Sequence, residues 1–400
     1  MKQGSSITNM SNQKLIVGIC LVGLGLAAVI SLSKLVAAKS KQTGGTLATG
    51  SATRDFSTVG NRSLKQRAAA KGIIYGTESN YDAIRSDKKL ATLIGKESMM
   101  LIPGWELKWH VGNQPLRPDF ARFDFTRADW MAEFASRNQM MLRGHVLVWH
   151  ESLPPWFAQK VNKQNAKQVL TEHIQKVAGR YAGKMHSWDV VNEAIAVYEG
   201  QPLGLRKTPW LELLGQDYIE IAFRAAAKAD PKALLVYNDY GLEYDTPEDE
   251  AKRTAVLKLL KHLKSRGVPI QALGIQSHLD AHETRFNAKK FRAFLKQVAA
   301  LDLKIMITEL DVNDQKLPAN PAVRDRIVAG VYEDYLAAAL SEKAVTTVVT
   351  WGITDRFTWL SNHTPRGDGA ALRPLPLDAS LKTKLAWNAI ARAFDRAPKR

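Results

Sequence analysis

Two glutamates close apolar runs in which packing alone gives no reason for a carboxylate. Glu193 ends Trp188-Asp189-Val190-Val191-Asn192-Glu193, and Glu309 lies within Ile305-Met306-Ile307-Thr308-Glu309-Leu310-Asp311. Burying a lone carboxylate costs on the order of several kcal/mol unless it is paired or neutralised. Two carboxylates held in different environments can divide acid and nucleophile duties between them. Glycosidic cleavage with retention asks for that division, with a protonated acid at the leaving oxygen and an ionised carboxylate at the anomeric carbon. His278 is available to hydrogen-bond Glu309, and Asp311 to orient that histidine, so Glu309 is the expected ionised partner and Glu193 the acid. For either segment alone, an ordinary strand-end acid is the plainer alternative.

Such residues need a scaffold that brings strand ends together. Apolar strand candidates recur at Gly72–Gly76, Met99–Pro103, Met140–Trp149, His186–Glu193, Leu234–Asp239, Ala272–Leu279, Lys304–Asp311 and Val345–Ile353. Helical runs lie between them. Val169–Tyr181 places Leu170, Ile174, Val177 and Tyr181 at three- and four-residue intervals, and Glu248–Arg266 places Val256, Leu259, Leu260 and Leu263 on one face with Gly267 as terminator. Strict alternation implies right-handed crossovers and a parallel sheet. Eight repeats predict an α/β fold, a (β/α)₈ TIM barrel forming a single catalytic domain over 72–400. A doubly wound open sheet is the runner-up, but its glycine-rich phosphate turn is missing.

The carboxyl ends of the predicted strands are dense in polar groups. They carry Arg143-Gly144-His145 and Trp149-His150, Asn192-Glu193, Asn238-Asp239, Gln276-Ser277-His278, Glu309 with Asp311, and Trp351 with Asp355. Amides and imidazoles match hydroxyls, and indole faces match the C–H side of a pyranose, so Trp109, Trp149, Trp351 and Trp359 complete the composition of a sugar cleft. Plainer alternatives stand beside this. Trp351 and Trp359 could be core aromatics, Lys108 a surface lysine, and the histidines metal ligands, although no His-x-His pair occurs and no metal or cofactor is expected.

The chain from about Gly72 onward resembles the glycoside hydrolase family 10 endo-β-1,4-xylanases, retaining enzymes on (β/α)₈ barrels. The resemblance rests on Lys108-Trp109, Arg143-Gly144-His145 with Leu147-Val148-Trp149-His150, Trp188 to Glu193, Tyr237-Asn238-Asp239-Tyr240, Gly274-Ile275-Gln276-Ser277-His278-Leu279, Thr308-Glu309-Leu310-Asp311 and Trp351-Gly352-Ile353-Thr354-Asp355. It implies endo-acting hydrolysis of xylan by double displacement, with Glu193 as acid/base and Glu309 as nucleophile. Asn192 would bind the 2-hydroxyl of the sugar at the cleavage point. His145, Lys108 and Gln276 would contact neighbouring hydroxyls, Trp351 and Trp359 would form a platform, and Trp149 and His278 would complete the substrate-binding set, with Asp311 and Asn238 in support. Two departures stand out. Gly104-Trp105 occupies the place where the family usually has Glu-Asn, a pair that holds the second sugar on the non-reducing side, and Ser152 stands where glutamine is common. Polar contacts are therefore expected to be lost there, with Trp105 either stacking on the sugar or filling the subsite. Two other outcomes remain open: a retaining β-glycanase with atypical glycone-side specificity, and a non-catalytic carbohydrate-binding barrel, which has no need of two opposed acids.

The 400-residue chain has a formal charge of +17, and +9 of it falls in residues 1–71, where ten Lys/Arg meet one acid, Asp55. Lys2 and Lys14 precede an apolar stretch over 15–32, followed by Val36-Ala37-Ala38. Residues 1–38 therefore read as a signal peptide or an N-terminal membrane anchor, and the protein as exported, either secreted or periplasmic, or tethered through 15–32. Cys20, the only cysteine, lies in this leader. Residues 39–71 read as a flexible basic linker, with folding starting near Gly72. No basic stripe interleaved with aromatics argues for nucleic acid. Acidic, glucuronic-acid-bearing xylan suits the positive charge as substrate, and the protein is expected to be a monomer.

Overall fold

The computed structural model describes residues 54–400. Nine strands follow one another: β1 (Ile74–Ser79), β2 (Met100–Pro103), β3 (Met141–Gly144), β4 (Met185–Asn192), β5 (Leu234–Asp239), β6 (Ala272–Ile275), β7 (His278–Asp280), β8 (Lys304–Asn313) and β9 (Val345–Thr350). All neighbouring pairs are parallel, and β1 pairs with β9 in the register Ile74↔Thr347 while β6 pairs directly with β8. Eight strands therefore close a barrel, and β7 is a short continuation of the β6 segment that pairs only with the far end of β8. The predicted eight-stranded TIM barrel is present. The third and eighth strands stop earlier than their apolar runs suggest, at Gly144 and Thr350.

Helices follow from the apolar spacing. Ala166–Arg180 buries Leu170, Ile174 and Val177, and Pro247–Ser265 buries Val256, Leu259, Leu260 and Leu263. Gly267, just past the second helix, takes a left-handed φ of +64°, as a terminating glycine should. The main core lies between these helices and the outer face of the barrel, and smaller clusters such as Val236, Ala272 and Met306 fill separate pockets. The barrel also encloses charge. Arg143 is buried and donates to Asp189, to Ser187 Oγ at 3.1 Å and to Met306 Sδ at 3.2 Å.

The expected linker is corrected over its described part. From Arg54 the chain is seated on the barrel: Phe56 and Leu64 are buried in the main core, and Leu64–Ala69 is a helix whose Ser63 and Gln66 form a reciprocal capping box. Arg67, fully buried, donates to Asp395 and to the carbonyls of Val59 and Gly60. Arg54 pairs with Asp334 at 2.8 Å. Asp395 and Asp334 lie about three hundred residues away in sequence, so the stretch looks like a charged tether when read locally. The leader, the anchor segment 15–32, Cys20 and the linker residues 39–53 lie outside the described residues. Among the described residues no helix is long and apolar enough to cross a membrane.

Candidate active site

The carboxyl ends of β3 to β9 converge on one cleft. Glu193 follows β4 in a left-handed conformation (φ +58°), unusual for a residue with a side chain, and its N–H is fixed by the carbonyl of Asn238 at 2.9 Å. One carboxyl oxygen accepts from Trp149 Nε1 at 2.9 Å; the other accepts from Gln276 Nε2 at 2.9 Å and Asn192 Nδ2 at 3.0 Å. All three donors are neutral.

Glu309 has different company. Its Oε1 accepts from Asn238 Nδ2 at 2.7 Å, and its Oε2 lies 3.2 Å from His278 Nε2. The other ring nitrogen of His278 lies 3.0 Å from Asp311 Oδ1, and Trp359 Nε1 donates to Asp311 Oδ2 at 2.8 Å. Burial opposes ionisation of Glu309, but the His278 hydrogen bond and the charges of His145, His278 and Lys108 outweigh it and bring the carboxyl down to about 2. His278 moves the other way, well above its ordinary value, because Asp311 and Glu309 outweigh its own burial. The predicted arrangement of His278 between Glu309 and Asp311 is therefore present.

Lys108 is buried over the face of Trp149, 4.9 Å from the ring centre, with Trp351 at 6.0 Å. Burial lowers its pKa, and the nearby Glu309, Glu78 and Glu193 oppose that shift. His145 is oriented by Asp189 (Nδ1 to Oδ2, 2.9 Å) and meets Trp351 edge to face at 5.3 Å. Trp359 lies 5.0 Å from the His278 ring. All twelve residues predicted for the site thus sit in one connected group. Trp109 does not join them. It is fully buried under the cleft, stacked on His173 at 3.6 Å, and its N–H is used by the Leu147 carbonyl.

Several contributors have no sequence signal of their own. Arg206 donates to the Glu193 carbonyl at 2.8 Å and to Tyr240 Oη at 2.8 Å. Glu243, buried, accepts from the N–H of Ser277 at 3.1 Å, where the chain passes through φ +65° between Gln276 and His278. Glu106 accepts from the N–H of Tyr81 and of Trp105, which turns the loop so that Trp105 is 47% exposed and lines an outer groove with Phe123 and Arg127. Trp105 therefore faces this groove and is not packed into the barrel. His150, Glu151 and Glu193 bring ligand atoms within 4.8 Å of one another, a spacing open to a cation, but Glu193 already takes three N–H donors there.

The sequence profile of glycosyl hydrolase family 10 matches residues 63–393. The chain belongs to that family. Among curated relatives, this family 10 hydrolase is 33% identical over 301 residues to endo-1,4-beta-xylanase B of Thermotoga neapolitana, covering 74% of this chain and 82% of that protein. It is 37% identical over 286 residues to a beta-1,4-xylanase of Dictyoglomus thermophilum, covering 69% of this chain and 76% of that one. Xylanase 10B of Thermotoga petrophila RKU-1, solved in complex with xylobiose, superposes with a TM-score of 0.76 at 31% identity, over 85% of this chain and 99% of that one. The family 10 profile begins at Ser63, the cap of the first described helix.

Proposed function

We propose that this family 10 hydrolase is an endo-1,4-β-xylanase that cleaves xylan with retention. The observation that carries the reading is the contrast between the two glutamates. Glu309 meets the His278 ring, whose hydrogen bond and charge favour its ionised form, whereas every hydrogen-bond donor to Glu193 is a neutral indole or amide. In the first step Glu309 attacks the anomeric carbon as the glycosidic bond breaks, and Glu193 gives its proton to the leaving oxygen. In the second step Glu193 takes a proton from water, whose oxygen displaces Glu309 from the sugar. Asn192 serves the 2-hydroxyl, while Lys108, His145, Gln276 and the Trp351 and Trp359 rings hold the same sugar. The relatives' names support xylan as the polymer.

Product analysis tests this. Proton NMR during digestion of xylan should show the β-anomer first. First appearance of the α-anomer would reject retention, and release of sugar from mixed-linkage β-glucan but not from xylan would reject the substrate. The basic charge further suggests glucuronoxylan; equal rates on neutral and acidic xylan at low salt would remove that preference. Export through the 1–38 segment, with or without anchoring through 15–32, belongs to the same reading, and cell fractionation with N-terminal sequencing of the recovered protein tests it. A carbohydrate-binding barrel without activity is what remains if no product forms.

A further inference from the structure

Gly104 stands where the resemblance expects a glutamate, and the space beside it is taken. A Cβ built on Gly104 would lie 2.0 Å from Oε1 of Glu78, 2.9 Å from its Cδ and 3.1 Å from its Cγ. Glu78 is the penultimate residue of β1, paired in register with Ile102 two residues before Gly104, and the Gly104 N–H donates to the carbonyl of Ser79 at 3.2 Å. The two positions are neighbours across adjacent strands, and a side chain at 104 would displace the Glu78 carboxyl from the place it occupies.

The Glu78 carboxyl makes no hydrogen bond among the described residues, although its residue is only partly exposed. It lies in the field of Glu106, Lys108 and Glu309, so it belongs to the catalytic cleft and not to the helical side of the barrel. Burial first, then the repulsion of Glu106 and Glu309, raise it to about 8 despite Lys108. Near neutrality it is thus mostly a neutral acid, with an O–H to donate and a carbonyl oxygen to accept. A half-buried polar group with both capacities and no protein partner is suited to a sugar hydroxyl.

Resting on the xylanase reading above, we infer that Glu78 is a substrate-binding residue of this chain, supplying from β1 the carboxyl that Gly104 lacks and holding the second sugar on the non-reducing side. The exchange is one of position. The expected loss of polar contact at 104 is offset by a carboxyl from the adjacent strand, and the absence of a side chain at Gly104 leaves the Glu78 carboxyl its space. Trp105, turned outward, is then left to the outer groove.

The test compares nitrophenyl β-xylobioside, which places a second sugar on the non-reducing side, with nitrophenyl β-xyloside, which does not. In Glu78→Ala the ratio of kcat/KM for the two substrates should fall about tenfold, the expected size for one lost sugar hydrogen bond. Glu78→Gln, which keeps a donor and an acceptor, should lose less. Gly104→Glu alone should lower Tm by steric conflict, and Glu78→Ala with Gly104→Glu together should restore both Tm and the ratio, a coupling that independent sites would not show. Equal loss on the two substrates would mean that Glu78 acts on the catalytic pair or the fold and would overturn the inference, as would an unchanged ratio in Glu78→Ala. Inactivity of the unsubstituted protein on xylan and on both glycosides would instead overturn the xylanase reading, and the inference with it.

Discussion

Asn238 Nδ2 lies 2.7 Å from Glu309 Oε1, and its second hydrogen serves Asn192 Oδ1 at 2.8 Å. Asn192 in turn donates to Glu193, so one chain of amides runs from the nucleophile to the acid/base. The orientation of Asn238 is fixed because its own oxygen accepts from Thr308 Oγ1 at 2.6 Å. Asn238→Asp replaces a donor with an acceptor and sets a second carboxylate against Glu309. A hydrogen bond to a charged group is worth about 1.5–3 kcal/mol, so kcat should fall by roughly one to two orders of magnitude. The acid limb of the pH–rate profile should move upward, because Glu309 loses a contact that favours its charge. A variant with an unchanged profile would show that the amide chain is only packing.

The division of labour between the glutamates is open to direct test. Glu309→Ala should abolish turnover of every glycoside. Glu193→Ala should lose on the order of 10²–10⁴ in rate on xylan, where leaving-group protonation is needed, and far less on substrates with good leaving groups. Added azide should rescue the second variant and yield a β-glycosyl azide. An α-azide from Glu193→Ala would exchange the two roles.

Acid stability should report the His278–Glu309 pair. Glu309 is held at about 2, below its ordinary 4.5, so its contribution is whole above pH 4.5 and is lost as pH falls towards 2. His278 is raised, so its contribution is whole below pH 6.5 and is lost as pH rises through its higher folded value. Glu309→Gln removes the first of these. Its Tm should therefore fall less steeply than that of the unsubstituted protein between pH 4.5 and 2. Parallel Tm curves over that range would show that the pair does not discharge on acidification.

The segment before β1 belongs to the folded body. Leu64 is fully buried and Arg67 is locked by Asp395 and two carbonyls, so Leu64→Ala should cost about 2–5 kcal/mol. Removal of residues 54–71 should destabilise at least as much. A thermal melt of either variant that matches the unsubstituted protein would return the stretch to the status of a tether.

This segment also shows where sequence reading stops. The barrel and the His278–Glu309–Asp311 arrangement are legible because each depends on local signals, an apolar run with a polar residue at its end. Arg67 and Asp395 carry no such signal: their pairing exists only once the last helix folds against the first. Trp109 fails for a related reason. A tryptophan four residues from the exposed Trp105 and beside Lys108 looks like cleft lining, and only packing on His173 sends it inward. Glu78 has no neighbours in sequence that mark it, and its meaning depends on a missing side chain across the sheet.

Gly274 provides the last prediction, because it tests whether the close packing of Asn238 sets the nucleophile. It lies in β6 beside Asn238, and a Cβ there would meet Asn238 Oδ1 at 2.3 Å and Thr308 Cγ2 at 3.0 Å. Gly274→Ala must push Asn238 away, which lengthens its bonds to Glu309 and Thr308 together. The strand itself gains from the change, since alanine costs less backbone entropy than glycine. Activity should therefore fall by about tenfold or more, and stability by about 1–3 kcal/mol, the size expected for crowding one buried amide. The matched control is Gly179→Ala, in the helix Ala166–Arg180, where nothing lies within 4 Å of the added methyl. That change should raise stability by about 0.5–1 kcal/mol and leave kcat alone. If Gly274→Ala and Gly179→Ala behave alike, close packing of Asn238 does not set the nucleophile.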